Sequence, residues 1–417
     1  MPIRSIAVSN FKSFRHLTIK PARFTLIIGS NASGKSNFIQ IFKFLRDIAK
    51  YGLNNAISLQ GGVEYLRNTI IGPSENCSFR IVYRLDERKQ DVIGLRDGVP
   101  IYFESTEVCY EFSLRFREGA ETYEIESDRL IVSGDFQQPE GENLVTIGPG
   151  EVMLCQISGE VRYCLHPPEG FLIRNEDQFP HMLQRREITQ NRLIMNIPVP
   201  VPGIPPLEWI FRGMKVYDFD PQLLKKAVPM IGKTALEKDG NNLAIVVKKI
   251  SDDPQKKRIF SSLLKDMLPF VDDVAVEKFM DMSLFLKMKE IYNKDRYIPA
   301  SMISDGTLNI IALIIALYFE DRPVTVIEEP ERNIHPHLIS RLIDMLKDAA
   351  RHKQVIITTH NPEMVKYVAI EDILLVSRDA EGFSTLSKPA DAREVQNFLE
   401  QEIGIEDLFI QNLLGME

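Results

Sequence analysis

Apolar positions change period several times along the chain, and each change predicts an element. Residues 3–9 and 16–20 alternate and read as two short strands around Asn10-Phe11-Lys12-Ser13-Phe14. Phe24-Thr25-Leu26-Ile27-Ile28 is a continuous apolar run ending at Gly29, the pattern of a buried strand. Phe38, Ile41, Phe42, Leu45 and Ile48 then recur at helical spacing and predict a helix over 36–50. From 78 to 165 the period returns to two: 78–83, 108–116, 122–125, 130–133 and 160–165 alternate. Turns such as Arg117-Glu118-Gly119 and Ile157-Ser158-Gly159 separate them, which predicts an antiparallel meander of hairpins.

Pro198, Pro200, Pro202, Pro205 and Pro206 exclude a continuous helix through 167–210. Residues 221–300 read as helical; over 256–268, Ile259, Leu263, Leu264 and Met267 share a face. Two short β-branched strands, 324–327 and 354–357, flank a helix over 336–351, a βαβ unit that argues for a parallel sheet. The expected class is α/β, with a mixed parallel core sheet, an antiparallel β meander and a helical insert. Expected boundaries are 1–77, 78–166, 167–295 and 296–417, the first and last forming one domain around the parallel sheet.

Chemistry gathers where the predicted strands stop. Gly29-Ser30-Asn31-Ala32-Ser33-Gly34-Lys35-Ser36 follows a buried strand and opens a helix, the G-x-x-x-x-G-K-[ST] phosphate loop in the context it requires. Backbone amides can wrap an anion where no Cβ blocks the approach, and the helix dipole adds to the attraction. Lys35 reaches the β- and γ-phosphates, the Ser36 hydroxyl ligates Mg²⁺, and Asn37 closes the segment. The strand 324–327 ends in Glu328-Glu329-Pro330-Glu331. Alternation points the two leading acids apart, Glu328 toward Mg²⁺ and Glu329 toward an attacking water as its polarising base. The strand 354–357 ends in Thr358-Thr359-His360, where His360 can hydrogen-bond the γ-phosphate or the water. Ser304-Asp305-Gly306 before the apolar stretch 308–319 reads either as an ordinary helix N-cap or as a second anion cradle.

Composition removes alternatives and adds none. A formal charge of −8 advertises no bulk affinity for nucleic acid, and no apolar stretch has the length of a membrane span. Cys77, Cys109, Cys155 and Cys164 form no C-x-x-C pair, as expected of free thiols in a reducing cytoplasm.

These four motifs, in this order, resemble the ATP-binding-cassette ATPase heads of the SMC, RecF and OLD group. Ser304, Asp305, Gly306 and Thr307 match that group's signature, Glu328 and Glu329 its Walker B acids, Glu331 to His335 its D-loop and His360 its switch histidine. The opening Ile6-Ala7-Val8-Ser9-Asn10-Phe11-Lys12-Ser13-Phe14 is similar to its first strand. Leu236-Glu237-Lys238-Asp239-Gly240-Asn241-Asn242-Leu243-Ala244 is similar to a segment of short RecF-like or OLD-like AAA-family ATPases. The resemblance implies ATP and Mg²⁺ as ligands, ATP hydrolysis, and a composite site closed by a second copy of the chain. Glu328 departs from the aspartate common at its position, and Gln60, Gln137 and Gln156 leave the Q-loop glutamine unassigned. Long coiled-coil arms are absent, and only 57 residues follow His360, with no acid cluster for a TOPRIM nuclease. The resemblance therefore implies a separately encoded effector, a nuclease or toxin, in bacterial antiphage defence. A RecF-like ATPase acting on DNA is the alternative, with Arg185-Arg186 and Lys256-Lys257-Arg258 as its candidate contacts.

Overall fold

The computed structural model describes the chain except residues 1, 118–121, 158–159, 174–185, 188–191, 197–202, 204–206, 280–281, 394, 396–403, 412–413 and 415–417. Pro198, Pro200, Pro202, Pro205, Pro206, Arg185 and the turn residues Glu118, Gly119, Ser158 and Gly159 lie outside the described residues. Two units emerge from the packing. The first comprises Met1–Ala22, Gln40–Met214 and Ser377–Leu386; the second comprises Arg23–Ile39, Lys215–Val376 and Ser387–Glu417.

The first unit is built on strands β1 (Ile3–Phe11) and β2 (Phe14–Ile19) and, after β3 (Phe24–Ile28) has left for another sheet, on β4 (Cys77–Arg96), β5 (Val99–Phe116), β6 (Tyr123–Glu140), β7 (Asn143–Ile157), β8 (Glu160–His166) and β9 (Arg186–Glu187). They form one antiparallel sheet in the order β2-β1-β4-β5-β6-β7-β8-β9. The meander is thus present, with strands far longer than the alternation predicts and with β7 unforeseen. Gly148-Pro149-Gly150 interrupts the pattern of β7, yet its register with β6 shifts only at one irregularity, between Phe136 and Gln137. The β4–β5 turn is Asp97-Gly98, with φ of 50° and 81°, the left-handed pair a two-residue hairpin requires. Aromatic rings supply much of the core: Phe79 lies 5.2 Å from Phe11 and 5.0 Å from Phe112, centroid to centroid.

In the second unit, α1 (Lys35–Tyr51) starts directly after the Gly-rich loop. Helices α2 (Leu53–Leu59), α3 (Val63–Leu66) and α4 (Leu207–Arg212), like most of α1, belong to the first unit; the second continues with β10 (Met214–Tyr217), α5 (Pro221–Leu224), β11 (Val228–Pro229), α6 (Leu243–Ser251) and α7 (Pro254–Met267). The helical reading of 221–300 ends there. Residues 271–299 are instead antiparallel strands β12 (Val271–Phe279), β13 (Ser283–Glu290) and β14 (Asn293–Pro299), with β11 on the other edge of β13. Leu284, Leu286 and Met288 alternate inward along β13, a period of two that outweighs the helix-forming Lys287, Lys289 and Glu290 of the same strand.

Helix α8 (Asp305–Tyr318) follows, then β15 (Val324–Glu328), α9 (Ile339–Ala349), β16 (Gln354–Thr358), α10 (Pro362–Lys366), β17 (Ile373–Arg378), β18 (Ser384–Ser387) and α11 (Ile405–Ile410). The six-stranded sheet runs β10-β15-β16-β3-β17-β18. Its central pairs, β15–β16, β16–β3 and β3–β17, are all parallel, so the βαβ unit 324–358 stands as expected. Helix α8 is buried from Gly306 to Leu317, which explains why its sequence is apolar on every face. Each fully buried Ile or Leu of α8 contributes about 1.5–3 kcal/mol by leaving water.

Candidate nucleotide site

Parallel pairing places three strand ends at one level. Ile27 of β3, Thr358 of β16 and Glu328 of β15 are register partners in succession. The loops leaving these carboxyl ends start at one edge of the sheet, the edge where an open α/β sheet binds its ligands.

The loop after β3 is shaped by close approach. A Cβ on Gly29 would lie 2.3 Å from Val376 O, so only glycine fits there. Ala32 at φ 63° and Gly34 at φ 121° turn the backbone as in amide nests that hold anions. Ser33 N–H donates to Ser30 O at 3.3 Å, and Phe38 N–H donates to Gly34 O at 2.9 Å, starting α1. Ser36 and Asn37 occupy the first turn of α1, while Ser30 and Asn31 are exposed on the loop. Lys35 Nζ donates to Gly29 O at 2.7 Å and to Ser30 O at 2.8 Å. Burial lowers the Lys35 pKa, against the opposing pull of Glu329, Glu328 and Glu331. Three acids therefore face the one lysine of the loop.

Glu328 ends β15 and Glu329 lies beyond it with a left-handed backbone, so the two acids diverge through that turn and not through strand alternation. Ser36 Oγ donates to Glu328 Oε1 at 3.0 Å, which joins the two groups expected to ligate Mg²⁺. A hydroxyl and a carboxylate as oxygen donors suit a hard cation that keeps most of its water, so the residues fit Mg²⁺. Glu329 turns away with φ 46°, rare for a side chain of its size, and its N–H donates to Thr358 O at 2.9 Å. Its Oε1 lies 2.7 Å from His360 Nδ1, and its Oε2 accepts from Arg332 at 3.1 Å. Burial pushes the Glu329 pKa up, but the bonds from Arg332 and His360 outweigh it and hold the carboxyl below its usual value. Glu329 is thus held ionised between Arg332 and His360.

Glu331, expected only as part of the D-loop, is a buried member of the site. The Thr359 hydroxyl donates to its Oε1, and Thr359 Oγ1 in turn accepts Asn361 N–H at 2.9 Å. The residues on both sides of His360 are therefore fixed by one carboxyl group. Burial raises the Glu331 pKa to about 7.

Ser304 caps α8: its Oγ accepts Thr307 N–H at 3.2 Å, and Lys225 Nζ lies 2.6 Å from Asp305 Oδ1. A Cβ on Gly306 would meet Asn333 O at 2.2 Å, so this glycine lets α8 touch the loop after β15. Three residues on, Asn309 is buried and donates to Pro330 O at 3.0 Å and to Arg332 O at 2.9 Å. In the sequence, Asn309 is a lone polar residue inside the apolar stretch 308–319. Its role shows once α8 and the loop 329–333 are side by side. Of the Q-loop candidates, Gln60 donates to Gln40 of α1 at 3.2 Å, whereas Gln137 bonds within the antiparallel sheet.

Two family models match parts of the chain. Residues 1–118 match the family model "AAA ATPase domain", and residues 208–366 match "AAA domain, putative AbiEii toxin, Type IV TA system". No curated protein matches the sequence. Similar solved structures include an SmcHead bound to the C-winged helix domain of ScpA (14% identity, TM-score 0.49, covering 93% of this chain and 97% of that one). An SMC head domain from Thermotoga maritima has 14% identity and a TM-score of 0.43, covering 93% and 99%. A Smc head with an extended coiled coil bound to the C-terminal domain of ScpA, derived from Pyrococcus furiosus, has 13% identity and a TM-score of 0.47, covering 96% and 99%. With a phosphate loop, paired acids and a histidine at adjoining parallel strand ends, and AAA ATPase matches over the segments that carry them, the chain resembles the ABC-type ATPase heads of the SMC, RecF and OLD group.

Proposed function

We propose that the chain binds ATP with Mg²⁺ and hydrolyses it in a composite site, and that this cycle switches a separate effector protein. The observation that carries the reading is the pairing of Ser36 with Glu328 beside the pairing of Glu329 with His360. One pair suits a metal and the other an attacking water, on adjoining strand ends above a phosphate loop.

The phosphate-loop amides and Lys35 would hold the β- and γ-phosphates, with Ser36 and Glu328 as protein ligands of Mg²⁺. The ion, when bound, neutralises charge on the phosphate oxygens. Glu329 then orients the water and draws on its proton, and His360 hydrogen-bonds Glu329 and the γ-phosphate side of the water. Ser304, Asp305 and Gly306 would contribute their anion contacts to the nucleotide of a second copy, so that ATP holds two heads together and hydrolysis releases them. Support for a toxin-linked or defence role is the match of residues 208–366 to a family described as an AAA domain, putative AbiEii toxin, of a type IV toxin–antitoxin system. The effector, a separately encoded nuclease or toxin, is what the resemblance to the SMC, RecF and OLD heads implies. For the DNA alternative, Lys256 pairs with Asp253 at 3.4 Å, and the run 256–258 lies exposed on α7, the arrangement of a solvated face.

The test is ATP turnover by wild type and by Glu329→Gln, with size measured with and without ATP. Turnover that falls about 100- to 1,000-fold in the variant, with ATP-dependent dimers retained, is the expected result. Wild type that neither binds nor hydrolyses ATP would sink the proposal.

A further inference from the structure

Arg332, like His360, bonds to the Glu329 carboxylate, and it does not act alone. Its other guanidinium nitrogen donates to Asp218 Oδ1 at 3.2 Å and to Phe219 O at 3.4 Å. A guanidinium held at two points by an acid and a carbonyl loses much of its freedom, and what it grips on its far side is oriented accordingly.

Asp218 is itself fixed by the segment that the nucleotide site left without a role. Its N–H donates to Lys238 O at 2.8 Å, and Asp220 N–H donates to Asp239 O at 3.2 Å. That segment turns at Gly240, φ 76°, where a Cβ would lie 2.4 Å from Leu224 Cδ2. It is locked by the buried Asn242, which donates to Lys233 O at 2.8 Å and Ala235 O at 2.9 Å and accepts Glu237 N–H at 2.9 Å. A rigid turn thus sets the end of β10, the neighbour of β15 in the sheet.

We infer that Asp218 is a positioning residue for ATP hydrolysis: anchored by the 236–244 turn, it holds Arg332 so that Arg332 aims the Glu329 carboxylate at the attacking water. The inference rests on the proposed role of Glu329. The sequence explains why a brace is needed. Glu329 sits at a positive φ that a glutamate does not prefer, so its direction has to be imposed by its surroundings. Both ends of the brace are partly exposed, with side-chain exposures of 39% for Arg332 and 46% for Asp218. Its value is therefore geometric: as a salt bridge it adds little to stability, while a misdirected base costs rate.

The experiment measures kcat, KM and ATP affinity for Asp218→Ala, Asp218→Glu, Arg332→Gln and the double variant Asp218→Ala/Arg332→Gln, with melting temperature recorded for each. Asp218→Ala is expected to lower kcat about 10-fold with ATP affinity and melting temperature unchanged, and Asp218→Glu to recover most of that loss. The double variant should match Arg332→Gln alone, because Asp218 acts only through Arg332. Additive losses, an unchanged kcat in Asp218→Ala, or a rise in kcat would overturn the inference; a rise would make the pair a brake. Glu329→Gln serves as the control. If it retains wild-type turnover, the role of Glu329 fails and the brace with it. If it is inactive while Asp218→Ala is unaffected, only the brace fails.

Discussion

The two units use backbone strain in opposite ways. In the first, the described side-chain-bearing residues at positive φ are Asn10 near the end of β1, Lys12 in the β1–β2 turn and Asp97 in the β4–β5 turn. In the second they are Ala32, Glu329 and Asn333, in the phosphate loop and the loop after β15. Hairpins use the left-handed conformation to reverse direction, and their strands pair along most of their length, with a break between Arg84 and Lys89. Parallel strands stop together at one edge, and the loops there carry unpaired backbone, charge and strain. The lesson is that the meander keeps its polar groups within the ladder, whereas the parallel sheet concentrates them where a ligand can meet them.

If that contrast is real, damage to the strand-end loops of the second unit should remove activity and spare the fold. Lys35→Ala should weaken ATP binding and lower turnover by about 100-fold or more, with little change in melting temperature. Equilibrium nucleotide binding and steady-state kinetics check it.

Buried polar groups of the first unit should behave conversely. Asp128 is fully buried and accepts Ile194 N–H at 2.5 Å. Burial raises its pKa to about 7 from 3.8, against the pull of that bond. A folded-state pKa above the unfolded one favours the protonated, folded form. This stability is fully present below about pH 4 and is lost as pH rises through about 7. The loss is on the order of a few kcal/mol. Asp128→Asn should flatten this part of the stability profile, measured by denaturant melts from pH 5 to 8, and leave ATP turnover at wild-type level.

Two smaller effects probe the contact between α8 and the loop after β15. Asn309→Leu leaves Pro330 O and Arg332 O without their donor and should destabilise by about 1–3 kcal/mol while slowing hydrolysis. Gly306→Ala must displace Asn333 and should cost about 1–3 kcal/mol in denaturant melts. Should either variant destabilise without touching turnover, α8 would be packing alone.

What could be read from the sequence divides along the same line. Residues 29–36 were legible because the phosphate loop is contiguous and its strand and helix flank it. The acids after β15 and His360 after β16 were legible from short apolar runs that end in polar residues. Asn309 and the Asp218–Arg332 pair were not, because their partners lie 21 and 114 positions away and only tertiary packing joins them. Strand β7 and the strands over 271–299 were missed for a local reason. Gly148-Pro149-Gly150 breaks one alternation, and helix-forming charges mask the other. The Asp97-Gly98 turn, by contrast, was a legible hairpin signal that went unread.

The central claim, that one copy completes the ATP site of another, is tested most directly by mixing two inactive variants. Lys35→Ala disables the phosphate loop, and Ser304→Arg blocks the signature while leaving its own loop intact. A mixed pair carries one site with both halves unaltered, so ATP turnover should reappear in the mixture, to about a quarter of the wild-type rate for random pairing with independent sites. A mixture as inactive as its components, alongside an active wild type, would contradict the account.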